Sequence, residues 1–220
     1  MNTEAVRVWD LPVRLFHWLI VVLLAVSWWS AEQGGVMLKY HMWSGFTVLT
    51  LVLFRVAWGF VGSRYARFTD FVHGPRRVFG TLGALFDRRP LAIAGHNPLG
   101  GWMVVALLVC LLVQTMTGLF ANDDLFNEGP LYSHVSKALS DRLTAIHHVN
   151  FSVMVALVGI HVLAVVWHRL RKGEQLVSAM ITGRKTLPQG VAVPAEPVGV
   201  WRVLVLIAAS AAIVGVLINL

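Results

Sequence analysis

The stretch IHHVNFSVMVALVGIH, residues 146–161, decides how this chain is read. It lies inside an apolar window of about 143–168, long enough to cross a bilayer, which takes about 20 helical residues. His147 and His161 stand fourteen residues apart. At about 1.5 Å rise per residue that is roughly 21 Å along a helix, and fourteen steps of about 100° return to within roughly 40° of the same face. Two imidazoles on one side of one membrane helix, at opposite depths, need partners on neighbouring helices. Intramembrane ionisable side chains are rare and usually face the bundle interior, so these are functional candidates.

Outward from that window, four more apolar runs of spanning length lie at about 11–31, 40–61, 100–121 and 201–220. The 220 residues are 57% hydrophobic and 13% charged, against roughly 45–50% and 25% in an ordinary globular domain. There is room for four to six spans and no large soluble catalytic domain. The first window follows Arg7 but carries Arg14, His17, Trp18, Trp28 and Trp29, which makes it longer and more aromatic than the apolar core of a signal peptide. It reads as a retained helix.

The net charge of +7 and pI near 10.3 have a source other than nucleic-acid binding, the excess of Lys and Arg in cytoplasmic loops. Arg64, Arg67, Arg76, Arg77, Arg88 and Arg89 in the 62–99 connection, with Arg169, Arg171, Lys172, Arg184 and Lys185 in the 169–200 connection, make eleven; the alternate connections hold three, Lys39, Lys137 and Arg142. This asymmetry predicts a multi-pass membrane protein with a cytoplasmic N-terminus and a C-terminus on the opposite, external side. Tryptophans 18, 28, 29, 43, 58, 102, 167 and 201 cluster near window ends, as an interfacial belt does. Pro188, Pro194 and Pro197 mark a linker before the last helix. The expected architecture is all-α and integral to the membrane. A four-helix transmembrane bundle covers 1–185, a linker 186–200, and a further C-terminal transmembrane helix, set apart from the bundle, 201–220.

Helices that alternate in direction bring His17 to the depth of His161 and His41 to that of His147. Two neutral imidazoles facing each other across a bundle suit the axial positions of a haem iron. Zinc prefers four ligands, usually completed by Cys or carboxylate, and those depths offer neither. The single cysteine, Cys110, leaves no c-type attachment site. Two haems between facing histidines are therefore expected, His17 and His161 near the cytoplasmic face and His41 and His147 near the external one. The bland reading of each is a buried histidine bonded to a neighbouring helix. His148 is the alternative ligand if the register differs by one. His168 reads as an ordinary boundary residue, and His73, His96 and His134 as surface or loop-fixing residues. Arg14 and Arg55 are candidate contacts to haem propionates, or they snorkel to the surface. Gly45, Gly59 and Gly118 are places where a flat ring can approach a helix backbone.

RLFHW at 14–18, YHMWSG at 40–45, GHNPLGGW at 95–102 and the 146–161 stretch together resemble the bacterial cytochrome b561 family and its relatives, the b-type cytochrome subunits of nickel–iron hydrogenases. The resemblance covers about 1–185. It implies a four-helix core with two haem b groups, ligated here by His17, His41, His147 and His161, that passes electrons between a quinone and another donor or acceptor. Two axial imidazoles leave an iron no vacant site, so its chemistry is one-electron exchange. The expected function is electron transfer between the quinone pool and a redox partner at the external face, such as a periplasmic c-type cytochrome. The alternatives are a membrane-anchoring cytochrome b subunit of a larger redox complex, or a superoxide:quinone oxidoreductase, which would make the chain itself an enzyme. Lys39, Lys137 and Arg142 are the external cations able to attract an anion. The partners expected are membrane lipid, quinone or quinol and a redox protein.

Overall fold

A computed structural model describes residues 3–85, 93–191 and 198–220. Arg88, Arg89, Pro194 and Pro197 lie outside the described residues. The elements run β1 (Thr3–Arg7), α1 (Leu11–Gln33), α2 (Leu38–Val61), α3 (Phe68–Phe71), α4 (Pro75–Leu85), α5 (Pro98–Gly118), α6 (Lys137–Lys172), α7 (Leu176–Thr182), β2 (Arg184–Pro188) and α8 (Val200–Leu217). Five of these helices, α1, α2 (with the turn Gly35–Met37 ahead of it), α5, α6 and α8, are long and apolar enough to cross a membrane. They correspond to the five apolar windows, and the chain is a multi-pass membrane protein. Helix α6 is the longest because polar turns at Lys137–Arg142 and Trp167–Lys172 extend it beyond its apolar window. Its outward side stays apolar, with Val149, Val153, Ile160 and Leu163 all exposed, as a lipid-facing surface requires.

The chain divides into two compact units. One comprises Met1–Leu15, Ala57–Ala106 and Leu157–Gly199. Here β1 and β2 pair antiparallel, from Thr3↔Pro188 to Arg7↔Arg184. This ribbon was not anticipated, and it places residues 186–188 of the expected linker in a strand. Gly183 ends α7 with φ +79, and its carbonyl accepts the backbone N–H groups of Val8 and Trp9 at 2.9 and 3.1 Å. Asp10 caps α1: Oδ1 accepts the Val13 N–H (2.8 Å), while Oδ2 accepts the Trp58 indole N–H (2.9 Å) and the Ser63 hydroxyl (2.6 Å). Gly59 does not face an open space, because a Cβ there would lie 2.1 Å from the Phe68 ring. This glycine lets α2 pack closely on the Phe68 ring at the start of α3.

The other unit comprises Phe16–Val56, Leu107–Ala156 and Val200–Leu220. Its apolar cluster joins Leu49 of α2, Leu119 and Leu131 of the α5–α6 connection and Val214 of α8, with Phe46, Leu53, Leu112 and Leu217 packed around them. The last helix is thus no appendage; it shares a core with α2.

Candidate functional site

Along α6, residues 140, 147, 154, 161 and 168 recur every seven positions and are all buried or half-buried, whereas the residues on the opposite side are exposed. Seven residues are about two helical turns, so His147, His161 and His168 share the one covered stripe. His148 is exposed, its ring 6.1 Å from that of His147.

His41 and His147 come together within one unit, their ring centroids 6.0 Å apart and their planes at 73°. Each imidazole is held from behind by a backbone carbonyl. Nδ1–H of His41 donates to Ser27 O (2.9 Å), with the Ser27 hydroxyl 3.2 Å away. Nδ1–H of His147 donates to Gln114 O (2.9 Å), with the Thr117 hydroxyl at 3.3 Å. A ring nitrogen that donates to a carbonyl fixes the tautomer, so the second nitrogen, Nε2, carries its lone pair free for a metal. Metal–imidazole bonds of about 2 Å, taken twice with the ring radii added, span roughly the separation observed. Space for a flat ring is also present, since nothing lies within 4 Å of where a Cβ on Gly45 would sit, one turn after His41. At Gly118 a Cβ would meet His147 Cε1 at 3.1 Å, so that glycine accommodates the imidazole ring itself. The donor set therefore fits an iron clamped between two histidines. Among the described residues no three His, Cys, Asp or Glu side chains gather as a four-ligand metal would need.

Sequence reasoning missed the polar residues that support this pair. Asn150, one turn from His147, donates its side-chain amide to Cys110 O (2.9 Å) and to Gln114 Oε1 (2.7 Å), and its Oδ1 accepts from Cys110 Sγ (3.3 Å). The same Gln114 thus holds His147 with its backbone and receives Asn150 with its side chain. The available signal was three to four residues of spacing from a functional histidine on a membrane helix.

His17 and His161 lie in different units, both half-buried; His17 meets the edge of Trp18 at 4.9 Å. Arg55 is only 2% exposed, so it does not snorkel. Arg14 reaches the Ile181 carbonyl at the end of α7, which commits part of its guanidinium to the fold. His168 is not a boundary residue in water. It is buried against Glu174 (3.3 Å), with Lys185 4.0 Å from the same carboxylate and donating to Ile93 O at 2.8 Å. Burial lowers the Lys185 pKa below the ordinary lysine range, with Glu174 opposing. His96 fixes its loop, wedged 4.5 Å from Trp9 and 5.0 Å from Phe71. His73 lines a cavity of about 360 Å³ with Arg77, Thr81 and His96; burial first, then the Arg77 charge, lowers its pKa. His134 is exposed.

Comparisons with known proteins point to the same chemistry. A family model described as prokaryotic cytochrome b561 matches residues 8–183. Three relatives bear the name "Probable Ni/Fe-hydrogenase B-type cytochrome subunit". The one from Rhodobacter capsulatus is 25% identical over 83% of this chain and 82% of its own length. That from Rhizobium leguminosarum bv. viciae is 24% identical over 84% and 90%, and that from Azotobacter vinelandii 28% over 81% and 88%. No solved structure matches. With five membrane-length helices, a carbonyl-oriented histidine pair and a family match over most of its length, the chain belongs to the prokaryotic cytochrome b561 family and is a membrane b-type cytochrome.

Proposed function

We propose that this protein binds two haem b groups, each between two histidines, and carries single electrons between the quinone pool and a redox partner at the external face of the bacterial inner membrane. The observation that carries the reading is the His41–His147 pair, 6.0 Å apart with both Nδ1 atoms engaged by backbone carbonyls. For the second haem the proposed ligands are His17 and His161, on the cytoplasmic side together with the N-terminus; the fourteen-residue interval in α6 supports this, as does the shared stripe that carries both α6 histidines. His41 with His147, and His17 with His161, would hold the haems, which would supply reversible one-electron exchange. The protein's own residues do the rest. Ser27 and Gln114 hold the imidazole tautomers, and Asn150 locks α5 to α6 behind His147. Buried Arg55 supplies positive charge for a propionate, and Arg14 does so with the donors not spent on Ile181.

The names of the relatives favour a second reading, in which the chain is the membrane-anchoring cytochrome subunit of a larger redox enzyme such as a hydrogenase. Quinone-linked turnover by the purified chain alone separates the two. A superoxide-oxidising role has less support, because Lys137, one of the three external cations, sits between Asp124 and Asp141.

The test is an oxidised-against-reduced optical spectrum with a pyridine haemochrome count. Two haems per chain are expected, and a count of one or none overturns the reading. His161→Ala is expected to remove the cytoplasmic-side haem and spare the other, His41→Ala to do the reverse, and His148→Ala to keep both. Two unaltered haems in the His161 or the His41 variant would refute the ligand assignment.

A further inference from the structure

Between Gly118 and Lys137 the chain forms a loop that is anchored at its root and apolar at its tip. Leu119 and Leu131 are buried in the core shared with Leu49 and Val214. Asn122 donates its amide to Ser140 Oγ (2.6 Å) and its backbone N–H to Thr144 Oγ1 (3.1 Å). Across the loop, Gly129 N–H bonds Ala121 O (2.7 Å) and Leu131 N–H bonds Leu119 O (2.8 Å). At the tip, Asp123 Oδ1 accepts the backbone N–H groups of Leu125, Phe126 and Asn127 at 2.9, 3.0 and 2.9 Å. Together with the Asn127 side chain, these bonds hold the Asp123 carboxyl down to a pKa of about 2, so it is ionised at any physiological pH. The backbone is thus fixed, yet Leu125 is 77% and Phe126 94% exposed. A fixed turn that leaves two large apolar side chains uncovered by the rest of the chain is organised for contact, since an aromatic anchor on a rigid element binds with little ordering cost.

Two further observations identify what it contacts. The first is charge. Residues 119–136 contain Asp123, Asp124 and Glu128 and no Lys or Arg, in a chain of net charge +7. Asp124 is paired with Lys137 (2.6 Å), which leaves Asp123 and Glu128 as the open charges at the rim. An anionic leaflet repels such a tip, whereas a cationic protein surface is drawn to it. The second is continuity with the histidine pair. Three residues beyond Phe126, a Cβ on Gly129 would lie 2.4 Å from Leu119 O and 2.6 Å from Gly118 O, and Gly118 itself abuts the His147 ring. The loop therefore leads from solvent to a haem ligand through two close backbone contacts.

We propose that the Leu125–Phe126 tip, rimmed by Asp123 and Glu128, is the docking surface for a water-soluble one-electron carrier whose contact face is apolar and ringed with lysines. The assignment rests on the haem reading above and on His147 belonging to the external pair. Each encounter moves one electron, the carrier being reduced by one as this protein is oxidised by one, or the reverse. The patch is small, as befits transient electron-transfer complexes, which bury less than about 1,200 Å².

The experiment uses the full, haem-loaded chain in lipid nanodiscs, reduced and then mixed in a stopped-flow instrument with ferricytochrome c, a small lysine-rich soluble haem protein. Phe126→Ala is expected to slow the second-order reaction about tenfold. Glu128→Lys should slow it severalfold and flatten its dependence on salt. Wild-type rates and salt slopes in both variants would overturn the proposal. Phe126→Cys is expected to react with a membrane-impermeant maleimide as fast in nanodiscs as in detergent; protection by lipid would mean that the tip inserts into the membrane, and would also overturn it. The b-type spectrum of each variant reads the cofactor independently of the docking rate, so the two readings fail separately.

Discussion

Gly118 packs closely against the His147 ring. A methyl group there would stand 3.1 Å from His147 Cε1 and 3.3 Å from Nδ1, so Gly118→Ala has to displace the imidazole by a few tenths of an ångström. The expected outcome is full haem content with one midpoint potential shifted and the other unmoved, read by spectroelectrochemical titration. Asn150→Leu removes the donor shared by Cys110 O and Gln114 Oε1. Buried interhelical hydrogen bonds in membranes are worth ~0.6–2 kcal/mol, and a fall in thermal stability of that order is expected, checked by the midpoint of heat-induced haem release. The proximity of His41 and His147 was legible in the sequence because an imidazole inside a span is rare enough to stand out. Gln114, Asn150 and Ser27 were not, because an amide or hydroxyl declares its role only once the helix opposite it is known. His168 shows the same limit, since its partner Glu174 lies beyond the helix end and the burial of both follows from how the chain turns back.

Among the elements, the five spans could be read directly, an uninterrupted run of about 20 apolar residues having few other fates. The β1–β2 ribbon could not, because its strands lie at opposite ends of the first four spans and neither TEAVR nor RKTLP carries a strong alternating pattern. Helix α1 depends on one carboxylate for its start. Asp10→Ala removes the cap, worth about 1 kcal/mol, and takes the acceptor from the buried Trp58 indole, which costs about 1–3 kcal/mol more. The variant is expected to unfold at a temperature several degrees lower, by circular dichroism in detergent. The 119–136 loop has its own pH signature. Its Asp123 pKa is held below the ordinary value of 3.8, at about 2, so the stabilisation from that carboxylate is complete above pH 3.8 and is lost as the pH falls through 2. Amide-exchange protection of Leu125–Asn127 is expected to persist at pH 4 and to vanish near pH 2; loss already at pH 4 would contradict the hydrogen-bond assignment.

At the scale of the molecule, the last helix belongs to the core of its unit through Val214 and Leu217. Deleting residues 200–220 uncovers Leu49 and Leu119, and the haem proposed to sit between His41 and His147, in the same unit, is expected to dissociate at a lower temperature than in the full chain. Absorbance during a thermal ramp reads this. The ribbon has a different consequence, for biosynthesis. Its two strands lie just outside the stretch that matches the family, Thr3–Arg7 before residue 8 and Arg184–Pro188 after residue 183. The first strand is made before the four spans that separate it from the second, and it keeps an open edge until those four helices have entered the bilayer and the second strand emerges. Closure of this seam is therefore a late, post-insertion step, and a nascent chain arrested ahead of Arg184 would hold all four of those spans with its first strand still unmatched.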